Sequence, residues 1–434
     1  MKKIIYIISL VLMLISCSSS EERNRILKVY NWADYIDEEL IGEFEQWYEE
    51  QTGESISIIY QTFDINETML SKIELGHEDY DAVCPSDYII ERMLANDLLL
   101  PLERDFGDTP DYIGNVAPYI VEKFNQIEGN GKNANDYSVG YMWGTVGLIY
   151  NPKYISEEDT KSWDVLKNPA YRGKVLMKDA FRDVYTSLLI ALNKEAIDAG
   201  EKDLSTITFD TSDESIKLVE DYLNSFKESV CGWEADFGKE QMTKELAWIN
   251  LSWSGDAQWA IDEAAEIGMD LRYAIPETGS SVWFDGWVIP KYARNVKAAR
   301  YFINFMCKPE NALRNMDMTG YVSAIGGSEI LEAISDSGEY DPIDASYFFG
   351  PEADSVCINQ VMYPDKKIIE RCGMMHDRGT EELLKMWSRV KGDSASAWTY
   401  ILICLVLGGL ITAVIIKYTK KARRRKRYSR RRRK

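Results

Sequence analysis

Two short segments of this chain pair a tryptophan with an acid, Trp253-Ser-Gly-Asp256 and Trp283-Phe-Asp285. An indole face covers apolar ligand surface and attracts cations, while a carboxylate receives positive charge through a charge-assisted hydrogen bond. Together they suit an organic cation or a sugar, and paired carboxylates beside aromatics also describe a glycoside hydrolase site. Composition alone does not separate these readings, and any one tryptophan can equally belong to a core. The formal net charge is −20; with 13 basic residues at 417–434 and Lys2 and Lys3 set aside, 35 basic residues face 70 acids. Such a body repels nucleic acid and attracts cations, so no nucleic-acid partner is expected. The only histidines, His77 and His376, lie far apart. They argue against a histidine-rich metal centre and give no Ser-His-Asp motif, so neither metal nor cofactor is expected.

The elements that must position these residues follow from periodicity. At 434 residues, 45% hydrophobic and 28% charged, the chain has enough apolar material for two or three domains. Ile26–Tyr30 reads as a strand, and 36–51 as a helix with Leu40, Ile41, Phe44, Trp47 and Tyr48 on its apolar face. Ser55–Tyr60 is the next strand, Asn66–Glu74 the next helix and Tyr80–Val83 a third strand. That is β-α-β-α-β, the pattern of a parallel sheet with helices on its faces. Ligands of such sheets sit outside the carboxyl ends of strands, here Asn31-Trp32 and Cys84-Pro85-Ser86. After a Gly/Asn-rich loop at Glu128–Asn135, the apolar segments Tyr137–Trp143 and Trp283–Pro290 read as two crossovers between lobes.

Tyr30-Asn31-Trp32-Ala33-Asp34-Tyr35 resembles the opening motif of bacterial spermidine/putrescine-binding proteins, the extracytoplasmic receptors of polyamine ABC importers. The resemblance continues in order through Asp64-Ile-Asn-Glu67, Tyr80-Asp81, Pro85-Ser86, Gly140-Tyr-Met-Trp-Gly144, Trp253-Ser-Gly-Asp256, Trp283-Phe-Asp285, Asn304-Phe305, Lys308-Pro309-Glu310 and Thr319-Gly320-Tyr321. It covers about Leu27 to Val390. It implies an α/β, two-lobed periplasmic-binding-protein fold of type II. Lobe 1 is expected from 26–139 and 284–393, and lobe 2 from 140–283. The implied function is to capture putrescine or spermidine between the lobes and deliver it to an ABC permease with its ATPase. No catalysis is implied. The alternative within the same fold is a membrane-anchored polyamine sensor. Iron would need a clustered tyrosine/histidine set that is not identified here.

A polyamine is a string of ammonium groups separated by methylenes, so its pocket needs carboxylates at intervals and aromatic walls between them. Each buried CH₂ contributes ~0.8 kcal/mol, a desolvated cation–π contact up to ~2 kcal/mol, and a charged hydrogen bond roughly 1.5–3 kcal/mol. The resemblance assigns Trp32 and Tyr35 to an aromatic wall with Asp34 between them, and Ser86 and Tyr88 to a hydrogen-bonding loop. It assigns Trp253 with Asp256, and Trp283 with Asp285, to aromatic-plus-acid pairs, and Tyr321 to the pocket's closure. Asp179-Ala-Phe-Arg-Asp183 resembles a further acidic loop, in which Asp183 is the expected ligand and Arg182 orients it. The chain departs from the pattern at Ala33 and Ala180, where relatives carry a hydroxyl or an acid, and near Met375, where some carry a glutamine. The last difference favours a shorter ligand.

Both ends read as membrane signals. Lys2-Lys3, the apolar run Ile4–Ile15 and Leu14-Ile15-Ser16-Cys17 resemble a lipoprotein signal peptide over 1–17, with lipidation at Cys17 and a tether over 18–25. Ala397–Ile416 is a charge-free stretch of transmembrane length, followed by a basic tail at 417–434. The expected location is therefore the outer face of the cytoplasmic membrane, with the tail inside and the ectodomain monomeric. Cys84, Cys231, Cys307, Cys357 and Cys372 show no metal or C-x-x-C spacing, and a Cys357–Cys372 pair stays open.

Overall fold

The computed structural model describes residues 23–392 except Asp236. The described residues up to Leu383 form one compact unit, and 384–392 belong to a second. The chain starts with β1 (Ile26–Trp32), α1 (Glu39–Thr52), β2 (Ser57–Phe63), α2 (Asn66–Glu74), β3 (Ala82–Val83) and α3 (Asp87–Ala95). Helix α1 buries Leu40, Phe44 and Tyr48, one residue per turn, and stops at Gly53, whose left-handed backbone lets its N–H reach Glu49. Strands β2 and β3 both pair in parallel with β1. The β-α-β-α-β pattern is thus present. The first two strands run two or three residues further than expected, and the first helix begins three residues later.

Strand β4 (Ser138–Tyr150) is buried along all 13 residues. Then come β5 (Val175–Lys178), α4 (Phe181–Leu192), β6 (Val230–Glu234), β7 (Ile249–Trp253), α5 (Ser254–Glu266) and β8 (Ser280–Val288). Helix α6 (Val296–Met306), α7 (Pro309–Thr319) and the short strand β9 (Val322–Ser323) follow, and α8 (Thr380–Lys391) is the last described element. The main path of the sheet runs β2-β1-β3-β8-β4-β7-β5-β6. Its two flanks are parallel, β2-β1-β3 on one side and β7-β5-β6 on the other, and antiparallel pairs join them at the centre. Strand β4 changes partners midway: Ser138–Thr145 pairs with β8, and Val146–Tyr150 with β7. This is the two-lobed α/β architecture expected from the sequence. The Glu128–Asn135 loop contains a small hairpin, Glu128–Gly129 against Lys132–Asn133.

One part of the expected fold class is corrected. Among the described residues no helix is long and apolar enough to cross a membrane. The longest, α1, has 14 residues and a polar face, and ~1.5 Å per residue brings it to about 21 Å against a core of about 30 Å. The C-terminal transmembrane helix is therefore withdrawn from the fold class; 397–416 lies outside the described residues, as do Cys17 and the basic tail. Cys84, Cys231, Cys307, Cys357 and Cys372 are all free thiols.

Candidate functional site

Most of the expected site residues are carried by the carboxyl ends of the parallel strands. Trp32 ends β1, Ser86 and Tyr88 follow β3, Asp183 opens α4 just after β5, and Trp253 ends β7 directly before Asp256 in the first turn of α5. Asp285 lies in β8, where the pairing with β4 slips between Asp285 and Gly286. A bulge of this kind re-aims a side chain, and here Asp285 also bridges to Ser86.

A chain of contacts joins most of these groups. Tyr35 donates its hydroxyl to Asp285 Oδ2 at 2.9 Å. Its ring meets Tyr321 edge-on at 5.3 Å, and Tyr321 meets Trp283 in the same way at 5.5 Å. Tyr321 donates to Asp256 Oδ1 at 3.1 Å, and Trp253 Nε1 donates to Asp183 Oδ2 at 2.9 Å. A Cβ on Gly255 would lie 2.2 Å from the Tyr321 ring, so the small residue before Asp256 is what admits that ring. Trp32 packs on Phe63, while Asp34 is exposed with a left-handed backbone (φ 52°). Neither enters the hydrogen bonds above.

The three acids differ in what faces them. Burial pushes Asp285 up to about 7; the Asp183 charge adds to the rise, and the hydroxyls of Ser86 and Tyr35 offset only part of it. Its Oδ1 is buried with no hydrogen-bond partner. Burial likewise pushes Asp183 up to about 6, against Trp253, Arg182 and Lys178. Burial acts on Asp256 too, but Lys178 and Lys239 outweigh it and hold the carboxyl below its ordinary range. Lys178 Nζ lies 2.5 Å from Asp256 Oδ2 and Lys239 Nζ 3.5 Å from Oδ1.

Four contributors escaped the sequence reading. Lys178 is one. Asn66 is another: its amide donates to Ser86 Oγ at 3.0 Å and Tyr88 Oη at 3.1 Å, orienting both. Glu67 accepts from Tyr88 Oη at 3.2 Å. Buried Asp87 accepts the Phe284 N–H at 3.1 Å and the Tyr88 N–H at 2.6 Å, pinning α3 to β8 one residue before Asp285. Asn66 and Glu67 lie in the Asp-Ile-Asn-Glu segment and Asp87 directly follows Pro-Ser, but nothing in these segments signals that their partners are Ser86, Tyr88 and Phe284. Arg182 stacks its guanidinium 4.2 Å from the Tyr88 ring and reaches Asp377 and Thr380, and Arg92 of α3 also binds Asp377.

The family model for bacterial extracellular solute-binding proteins matches residues 43–340. The chain belongs to that family. Its members bind solutes for transport and are not enzymes, so the paired acids are not a glycoside hydrolase site. The chain is similar to the putrescine-binding periplasmic protein PotF of Escherichia coli, 26% identical over 352 residues, 77% of this chain and 88% of that protein. The fold matches a solved Listeria monocytogenes chain with TM-score 0.64 and 30% identity, covering 85% of this chain and 99% of that one. It also matches the spermidine/putrescine ABC transporter substrate-binding protein PotD of Streptococcus pneumoniae, with TM-score 0.62 and 28% identity over 85% and 98% of the two chains.

Proposed function

We propose that this chain captures a polyamine, putrescine or spermidine, between its lobes and delivers it to an ABC permease driven by its ATPase. The observation that carries the reading is the pair of enclosed carboxylates Asp183 and Asp285, set among Tyr35, Trp253, Trp283 and Tyr321. A carboxylate raised by burial gains most from an incoming ammonium, which replaces lost hydration with a charged hydrogen bond. The aromatic rings supply the methylene-covering walls between such points. The names of the similar proteins, putrescine- and spermidine-binding, support the same ligand class, and the family's transport role disfavours the sensor alternative.

In this reading Ser86 and Tyr88, held by Asn66, complete the Asp285 end, while Trp32 and Asp34 meet the ligand when the lobes close. The lobes are 26–139 with 284–393, and 140–283, with β4 and β8 as the crossings. The protein acts as a monomer on the outer face of the cytoplasmic membrane, held there by lipid on Cys17. Titration calorimetry with putrescine, spermidine and spermine tests the ligand class: a dissociation constant below about 1 mM for one of them is expected, and no heat with any of them refutes it.

A further inference from the structure

Lys178 stands where a ligand ammonium was expected. It ends β5 with 1% of its surface exposed. Its ammonium contacts Asp256 Oδ2 at 2.5 Å, the Ala235 carbonyl, and Glu234 Oε1 at 3.5 Å, and it lies 4.2 Å from the centre of the Trp253 ring. That is the set of contacts, two carboxylates, a carbonyl and an indole face, that a buried alkylammonium requires. The supporting acids are themselves fixed. Glu234 accepts the Gly238 N–H and the Asn250 amide, each at 3.1 Å, and Asp256 accepts Tyr321 and faces Lys239.

We propose that Lys178 is a resident ammonium that occupies the Trp253/Asp256 position and makes the site selective for a dication over longer, more highly charged polyamines. This rests on the polyamine reading above and deepens it. With Asp256 and Glu234 committed to Lys178 and Lys239, Asp87 taken up by the Phe284 and Tyr88 N–H groups, Glu67 by the Tyr88 hydroxyl, and Asp34 exposed at the edge, the enclosed acids left to meet ligand charge are Asp183 and Asp285. Two ammonium groups match them. A third, directed toward Trp253, would meet the Lys178 charge and find its carboxylate already used, which is discrimination by repulsion rather than by added attraction.

Calorimetry on the full chain with putrescine and spermidine tests the proposal. Putrescine should bind wild type at least as tightly as spermidine. Lys178→Met, close in length but uncharged, should move the spermidine-to-putrescine affinity ratio about tenfold or more toward spermidine. Lys178→Arg, which keeps the charge, separates loss of the charge from disturbed packing. That variant should leave the spermidine-to-putrescine ratio within about threefold of wild type. Spermidine binding wild type more than tenfold tighter than putrescine would overturn the proposal. So would an unchanged ratio in Lys178→Met, or the same shift of the ratio in Lys178→Arg. Absence of heat with both amines in wild type would instead overturn the polyamine reading itself, and this proposal with it.

Discussion

Ligand affinity should depend steeply on pH near neutrality, because the two acids proposed to meet the ligand are raised to about 7 for Asp285 and about 6 for Asp183. The amines stay charged across this range, since alkylammoniums titrate near about 10. Above about pH 8 both carboxylates are ionised beforehand and affinity is flat. Below that, each ammonium must displace a proton, and affinity falls tenfold per pH unit for each acid already protonated. From about pH 8 to about pH 5, Asp285 contributes roughly two decades and Asp183 one, about a thousandfold or ~4 kcal/mol in total. The two acids influence each other, so these values belong to the pair. Calorimetry in buffers of different ionisation enthalpy counts the protons directly, and about 1.4 should leave per ligand at about pH 6. Asp285→Asn should remove the component centred near 7 and leave the one near 6. Wild-type affinity constant within threefold from pH 8 to pH 5, with heats independent of buffer, would refute the reasoning.

Stability of the ligand-free protein should run the opposite way. Both carboxyls are raised by folding, so the stability tied to them is present below about pH 4 and lost as pH rises through about 6 and 7. Asp285→Asn should therefore raise the urea midpoint at about pH 8, by up to ~4 kcal/mol and by about 1–3 after relaxation, and change it little near pH 4; an unchanged midpoint at pH 8 counts against a buried charge there. Gly255→Ala should push Tyr321 out of place, costing roughly 1–3 kcal/mol of stability and tenfold or more in polyamine affinity. Affinity equal to wild type would show that Tyr321 does not border the ligand. Small-angle scattering should give a smaller radius of gyration at saturating polyamine, since site residues come from both flanks of the sheet; identical profiles would argue against closure.

Much of this arrangement was legible in the sequence because its signals are local. Leu40, Phe44 and Tyr48 mark a helix face within one segment, and a strand's carboxyl end can be read from where an apolar run stops. Trp253 with Asp256 and Trp283 with Asp285 fall within four and three residues. Lys178 was missed for the converse reason. A lysine closing Val-Leu-Met-Lys reads as the point where a buried strand surfaces, and the acids that help keep it inside, Glu234 and Asp256, come 56 and 78 residues on. A hint was available: the position follows a wholly apolar parallel strand, at the end where such sheets bind ligands. Asn66 was invisible in a similar way, since its amide is claimed by Ser86 and Tyr88 some twenty residues downstream. The unequal surroundings of Asp183, Asp256 and Asp285 follow from tertiary neighbours that a short motif does not encode.

Strand β4 belongs to both halves of the sheet, and that has a mechanical meaning. It changes partners between Thr145 and Val146, and the Thr145 N–H donates to Ser254 Oγ at 3.2 Å, at the start of the helix that carries Asp256. Lobes joined by a surface patch can slide; lobes joined by covalent crossings, here the proposed β4 and β8, flex those strands instead. In the proposed arrangement the two crossings act together as a leaf spring, and the Thr145–Ser254 bond couples flexure of β4 to the first turn of α5. Substitutions on the outer faces of the lobes can change how often the spring is bent, but the direction in which it bends is set by the chain itself.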